Sequence, residues 1–373
     1  MKRFFIPLSL LLAGACTRTI DYDFDKVDSQ LLVVGWLEQT AASHTVYLSL
    51  SEGGLVKPVG DARVICTVNG EEVADVSLSA SDVPEPSFSE RYSGSADGQQ
   101  LPVTFKASLK PGDKVRLAFE ANQGAYKARS AELTVPEPVT LSKVDTARVT
   151  VRHLDWSDRY LQVRADVPDR PGEDNWYSIS LWEVSEGTYS FRDGGPDLTV
   201  SFSSIRYMMD VDDPVLLDGN VAETEDLNVL DLSGNGAFAC FSDRLFRDAS
   251  AHLKMNAFSS WNNEGPDFMN LGYALYRQYG EGEIASRGVT RCRAGHRLEV
   301  RLSHCSQAAY FYLRALRTIS STGYKPEILE PVTIPSNLSG GVGFVDVVNT
   351  AVAIIDLPAE EEVYDGDESA PDD

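Results

Sequence analysis

The sequence has little positive charge. It contains 33 Lys and Arg residues against 56 Asp and Glu residues, which gives a formal net charge of −23. Proteins that bind nucleic acid need clustered Lys and Arg to contact the phosphates, so we expect no nucleic-acid partner. The last stretch, residues 360–373, has eight acidic residues and no basic one. We predict an acidic, disordered tail over residues 358–373.

Histidine and cysteine are also scarce, with five of each. The sequence contains no HExxH zinc motif, no nucleophile elbow and no Walker loop, and we expect no cofactor and no enzyme. A serine or cysteine triad stays open, because its members need not be neighbours in sequence. Export would permit disulfides, but we expect buried free thiols at the four later cysteines, which are Cys66, Cys240, Cys292 and Cys305.

Long hydrophobic runs are absent after residue 15, whereas a transmembrane helix needs roughly 20 apolar residues. The start of the chain has Lys2-Arg3, a short apolar run at residues 4–12, and small residues before Cys16. This order predicts a secretory signal peptide over residues 1–15. The cysteine at the cleavage point predicts lipidation of Cys16, with the lipid anchor and tether at residues 16–29. The sequence Ala13-x-Ala15 also fits ordinary secretory cleavage, which would leave a soluble periplasmic protein.

Most of the remaining chain alternates apolar and polar residues in short runs, a pattern typical of β-strands. About seven such runs fall within residues 30–135, and Asn69-Gly70 between two of them predicts a hairpin. This spacing predicts an N-terminal sandwich of immunoglobulin or transthyretin type. Pro136-Glu137-Pro138 ends the last strand, and we place a domain boundary there.

Residues 139–357 predict a second β-rich domain with one or two helices, so the fold class is mainly β. Apolar residues at helical spacing between positions 308 and 319 predict a helix capped by Ser303 or Ser306. Residues 293–296 predict a turn that leads into a strand over residues 297–303.

Three aspartates in one acidic segment, Asp210, Asp212 and Asp213, are candidate calcium ligands, because calcium prefers carboxylate oxygens. Their spacing departs from an EF-hand, since Pro214 occupies a ligand position and no Glu closes the loop. The alternative is an acidic surface loop. A second candidate set has zinc-binding atoms without the spacing of a zinc motif: Cys292, His296, His304 and Cys305. Both histidines also share one face of a strand with apolar residues, which favours ordinary strand packing.

The most distinctive phrase of the chain is EPVTIPSNLSGGVGF at residues 330–344. Two prolines favour an extended entry, Ser336-Asn337 offers local hydrogen bonds, and Gly340-Gly341 permits positive φ. Residues 342–355 then predict a closing strand.

This phrase, with others in the same order, resembles a lipoprotein family of Bacteroidota named domain of unknown function 4249. The other matching segments are the signal ending in Cys16, the predicted strand at residues 31–36, the segment at residues 58–64, and two short motifs at residues 212–214 and 241–243. The chain departs from the family at His296, where an Asp is common. The resemblance implies an outer-membrane lipoprotein, often encoded beside a TonB-dependent transporter. It implies no established catalytic residues.

We therefore expect a non-enzymatic accessory lipoprotein of the outer membrane, anchored by its N-terminal lipid and facing the periplasm or the cell surface. Its partner would be a TonB-dependent outer-membrane transporter in nutrient uptake, contacted through loops such as residues 210–220. The alternatives are a structural lipoprotein of envelope assembly and a hydrolase with a dispersed site. Acidic pairs such as Glu183 and Glu186 could serve such a hydrolase. The ligand and the oligomeric state stay open.

Overall fold

The computed structural model describes residues 28–52, 55–83, 100–153, 155–219, 237–259, 264–320 and 332–364. The predicted signal peptide, Cys16, the tether as far as residue 27 and the tail beyond residue 364 lie outside the described residues. The described chain is mainly β, as predicted, and its strands far outnumber its helices.

The strands, in chain order, are β1 (Gln30–Glu38), β2 (Ser43–Glu52), β3 (Leu55–Lys57), β4 (Asp61–Val68), β5 (Glu71–Ser79), β6 (Leu101–Lys106), β7 (Lys114–Ala121), β8 (Tyr126–Ser130), β9 (Leu133–Thr134), β10 (Ser142–Arg152), β11 (Ser157–Pro168), β12 (Trp176–Phe191), β13 (Leu198–Arg206), β14 (Phe238–Ser242), β15 (Ser250–Ser259), β16 (Val289–Cys305), β17 (Leu338–Ser339) and β18 (Gly341–Val363). The α-helices are α1 (Phe268–Tyr279), α2 (Glu281–Arg287) and α3 (Gln307–Ser320).

The strands of the described ranges form three sheets. A nine-stranded sheet has the order β13-β12-β16-β18-β1-β2-β3, with β14 also beside β12 and β6 also beside β2. A six-stranded sheet has the order β17-β8-β7-β4-β5, with β9 beside β7, and a three-stranded sheet has the order β10-β11-β15. Each smaller sheet packs on one half of the large sheet, so the large sheet runs through two sandwiches.

The N-terminal sandwich follows the alternation that its sequence predicts. Leu31, Val33 and Leu37 of β1 have no exposed surface and pack against residues of the six-stranded sheet. Asn69 and Gly70 both have positive φ, at 52° and 86°, and connect β4 to β5 as the predicted hairpin.

The C-terminal strand β18 belongs to both sandwiches. Its first part pairs parallel with β1, from Leu31 opposite Gly341 to Glu38 opposite Val348. From residue 349 onward it pairs antiparallel with β16. Val345 and Val347 are core residues of the N-terminal sandwich. Residues 338–348, which the sequence analysis assigned to the second domain, therefore complete the first sandwich.

The second sandwich contains the three-stranded sheet, the far half of the large sheet and the helices. The predicted turn at residues 293–296 is wrong, because β16 continues through it from Val289 to Cys305. The predicted helix is confirmed as α3, and Ser306 caps it, since its Oγ accepts from the Ala309 amide at 3.1 Å. Helices α1 and α2, whose positions were not predicted from the sequence, cover residues of β12, β13 and β16.

Candidate functional site

Asp210 stands at the start of the acidic segment and is bound to β11 and the residues before it. Its Oδ2 accepts from Tyr160 Oη at 2.5 Å and contacts His153 Nε2 at 3.1 Å. Burial and the hydrogen bond to Asp210 both raise the pKa of Tyr160, which keeps this phenol protonated. The Asp210 backbone itself has a positive φ of 45°.

Asp213 fastens the same segment to β15. Its Oδ1 accepts from the amides of Val215 at 2.9 Å and Leu216 at 3.3 Å. Its Oδ2 accepts from the amide of Lys254 at 3.1 Å. Asp213 is buried, and this burial raises the pKa of its carboxyl group, whereas the neighbouring Asp212 is exposed.

The three predicted calcium ligands are therefore not brought together. Asp210 and Asp213 accept hydrogen bonds from different donors, and Asp212 faces solvent. Within the described ranges, no group of three or more His, Cys, Asp or Glu residues is placed to hold a metal ion.

Asp218 fastens the end of the segment to α3. It accepts hydrogen bonds from Tyr310 Oη and from Arg314 Nη1, the latter at 3.2 Å. Leu216 and Leu217 beside it are buried. Residues 210–218 thus form a strap, the acidic strap, which joins β11, β15 and α3. The carboxylates of Asp210, Asp213 and Asp218 accept hydrogen bonds within the fold. Among the strap carboxylates, Asp212 alone is exposed, as the alternative of a surface loop predicts.

The four zinc candidates also lie apart. Cys292 packs under α1 and Cys305 packs under α3, at opposite ends of β16. The described cysteines are free and buried, as expected, and burial raises the pKa of each thiol. Burial lowers the pKa of His304, whose Nδ1 lies 2.9 Å from the carbonyl oxygen of Glu137.

His296 belongs instead to a buried charged group between two apolar clusters of the second sandwich. Its Nε2 lies 2.9 Å from Glu183 Oε1, and Arg206 Nη1 donates to Glu183 Oε2 at 3.1 Å. The Arg206 guanidinium also lies over the Phe258 ring at 4.2 Å. The His296 side chain has no exposed surface, whereas the Glu183 and Arg206 side chains keep 10% and 23% exposure.

A shallow groove of 520 Å³ lies at one end of the N-terminal sandwich. The turn between β1 and β2, residue Val73 and residues 106–109 line it. Lys106 is the one charged side chain among the lining residues.

Helix α1 has an exposed side that carries large, largely apolar side chains. Leu271 and Leu275 are buried against the sheet. On the opposite side Met269, Tyr273 and Tyr276 are 70%, 54% and 44% exposed. These three residues stand at positions i, i+4 and i+7, which place them on one side of a helix. We call them the aromatic face.

The aromatic face lies far from the N-terminal end of the fold. Strand β18 starts beside Leu31 and runs parallel to β1 before it enters the second sandwich. Helix α1 packs over Cys292, which pairs with Glu362 near the end of β18. At about 3.3 Å per residue, this point is roughly 70 Å along the strand from Gly341.

The described part of the distinctive phrase, residues 332–344, leads into β18 beside the N-terminal sandwich. Asn337 donates through Nδ2 to the Val345 carbonyl at 2.6 Å and accepts through Oδ1 from the Val345 amide at 3.1 Å. A Cβ on Gly341 would lie 2.5 Å from the Leu31 carbonyl oxygen. Only glycine permits such a close approach.

No helix within the described ranges has both the length and the apolar character to cross a membrane. The search of curated proteins finds no match for this chain. A family model described as "Domain of unknown function (DUF4249)" matches residues 17–353. This match covers nearly all of the two sandwiches and the strand that joins them, so the chain belongs to the DUF4249 family.

Proposed function

We propose that this protein is a lipoprotein of the outer membrane, held by a lipid on Cys16. It acts as a non-enzymatic accessory component that binds a TonB-dependent transporter in nutrient uptake. The signal-like residues 1–15 and the family resemblance of the sequence support the location.

The observation that carries the proposal is the order of the two sandwiches along the fold, starting from the anchored N-terminus. Thirteen residues separate Cys16 from Gln30, and they reach at most about 45 Å when extended. The N-terminal sandwich is therefore held near the membrane. The parallel course of β1 and β18 directs the second sandwich away from that end.

The aromatic face is the proposed contact surface. Exposed apolar groups that cluster on one surface are typical of protein interaction sites. Side chains at i, i+4 and i+7 are the anchors that a helix inserts into the groove of a partner. Met269, Tyr273 and Tyr276 provide such anchors on a convex helix, a shape that suits a protein groove better than a small ligand. The acidic strap is not the proposed contact, because Asp210, Asp213 and Asp218 already accept hydrogen bonds inside the fold and only Asp212 among its carboxylates is exposed.

Photo-cross-linking in intact cells tests this proposal. A cross-linking amino acid at Tyr273 should capture the transporter, which mass spectrometry would identify. The same amino acid at Glu71, an exposed position on the N-terminal sandwich, is the matched control and should capture none. The proposal fails if Tyr273 captures no envelope protein while the purified protein cleaves a glycan or a peptide.

A further inference from the structure

Strand β1 is the first element after the tether, and it lies inside a sheet. Its neighbours are β18 on one side and β2 on the other. Eight consecutive residues, 31–38, pair with residues 341–348 of β18. Six residues, 30–35, pair with β2. A strand at a sheet edge detaches when the hydrogen bonds to one neighbouring strand break, whereas β1 detaches only when its hydrogen bonds to both β18 and β2 break.

The parallel direction of β1 and β18 decides how this ladder responds to tension. A pull on the tether acts on the N-terminal end of β1. A pull on the second sandwich, or on the C-terminus, acts on the C-terminal end of β18. These forces are opposed along the strand axis, so they load all eight residue pairs in shear at the same time. Forces applied at the same end of both strands would instead open the pairs one after another.

Packing protects the same ladder from water. Leu31, Val33 and Leu37 of β1, and Val345 and Val347 of β18, have no exposed surface. All five lie in one core cluster with residues of the six-stranded sheet. Water does not reach buried hydrogen bonds, so it cannot replace the hydrogen bonds between β1 and β18 one at a time.

We propose that the β1–β18 pair is a mechanical clamp. It transmits tension between the membrane anchor and a partner held by the second sandwich, without unfolding the N-terminal sandwich. The direction of load rests on the proposed function, whereas the clamp itself follows from strand order and direction.

Single-molecule force spectroscopy on purified residues 17–373 tests the clamp without a membrane or a transporter. In one geometry the chain is held at residue 17 and at residue 373, which loads β1 and β18 in shear. In the second it is held at residue 17 and at a thiol introduced by Ser339→Cys, an exposed position beside the start of β18. We expect a several-fold higher rupture force in the first geometry. Equal forces in the two geometries would overturn the proposal.

A pair of core variants separates the clamp from general stability. Val33→Ala removes buried methyl groups inside the clamp, and Leu253→Ala does so in the core of the second sandwich. Val33→Ala should lower the rupture force between residues 17 and 373, and Leu253→Ala should leave it unchanged although it also lowers the free energy of unfolding. If both variants lower the force in proportion to their loss of stability, the clamp is refuted. That result would leave the cross-linking test of the transporter contact unaffected.

Discussion

Val33 and Gly343 lie opposite each other in the parallel pair of β1 and β18. A Cβ on Gly343 would stand 2.0 Å from the Val33 carbonyl oxygen. Gly343 also has a φ of +112°, a conformation that residues with a side chain rarely adopt. Strand β18 therefore needs glycine at this position, because its backbone has a positive φ and lies too close to β1 for a side chain.

Gly343→Ala should destabilise the protein by about 2–3 kcal/mol or more, because it adds backbone strain and a steric clash with Val33. Gly272→Ala is the matched control. Gly272 lies inside α1 with open space around it, so alanine there should stabilise the protein by about 0.5–1 kcal/mol. Urea unfolding of both variants measures the difference. A Gly343→Ala protein as stable as the wild type would contradict the close pairing of the two strands.

A protein ending at Val135 should fold poorly, because it lacks the strand that pairs with β1 and the core residues Val345 and Val347. Adding residues 333–348 after Val135 through a flexible linker should restore a dispersed NMR spectrum of a β protein. The comparison also tests the predicted boundary at residues 136–138. If residues 28–135 alone give the same dispersed spectrum, the closing strand is dispensable for this sandwich.

Asp213→Ala should cost about 2–3 kcal/mol, because it leaves three main-chain amides without their acceptor in a buried setting. Asp212→Ala removes the same charge one residue earlier at an exposed position, and it should change stability by less than about 0.5 kcal/mol. Thermal unfolding of both variants, each with calcium and with a chelator, measures the two effects. Equal losses in the two variants, or a calcium-dependent stability that either variant abolishes, would support a metal site instead of a strap.

Asp346 gives the fold a defined dependence on pH. It is buried at the seam between the sandwiches, where its Oδ2 accepts from the Ser306 amide at 3.1 Å and from Ser306 Oγ at 2.9 Å. Burial raises the pKa of Asp346 to about 6, against the opposing effect of these hydrogen bonds. The folded state therefore binds a proton more readily than the unfolded state, whose Asp pKa is about 3.9. A shift of this size corresponds to about 3 kcal/mol.

The stabilisation from protonated Asp346 is fully present below about pH 4 and is lost as the pH rises through about 6. The free energy of unfolding should therefore increase as the pH falls from about 7.5 to 5 and Asp346 becomes protonated. Asp346→Asn keeps an oxygen acceptor for Ser306 but cannot titrate, so this gain should disappear in the variant. Urea unfolding across this pH range is the measurement. Identical pH dependence in both proteins would mean that Asp346 does not titrate there.

Cys16→Ser should move the protein from the membrane fraction to the soluble fraction, because it removes the site of the proposed lipid. Carbonate-washed membranes and supernatants, compared by immunoblotting, show the distribution. A variant that remains in the washed membranes would mean that something other than a lipid on Cys16 holds the protein.

Local features of this chain could be predicted because neighbouring residues determine them. The alternation of β1 and β4, the positive φ of Asn69 and Gly70, and the Ser306 cap of α3 all depend on interactions within a few residues. The turn predicted at residues 293–296 failed for the opposite reason. Strands β12 and β18 pair with this segment on both sides, and two ladders outweigh the local preference of Arg-Ala-Gly-His.

The sequence by itself determined that most of the chain forms strands, and where the chain carries acidic groups and a signal-like start. Only the tertiary structure decided that β18 lies parallel to β1, because the paired residues are about 310 positions apart and no local pattern records such a pair. The same holds for the carboxylates. Asp210, Asp213 and Asp218 look alike in sequence, but their roles depend on which distant donors the fold places beside each one, and these include Tyr160 of β11, Lys254 of β15 and Tyr310 of α3.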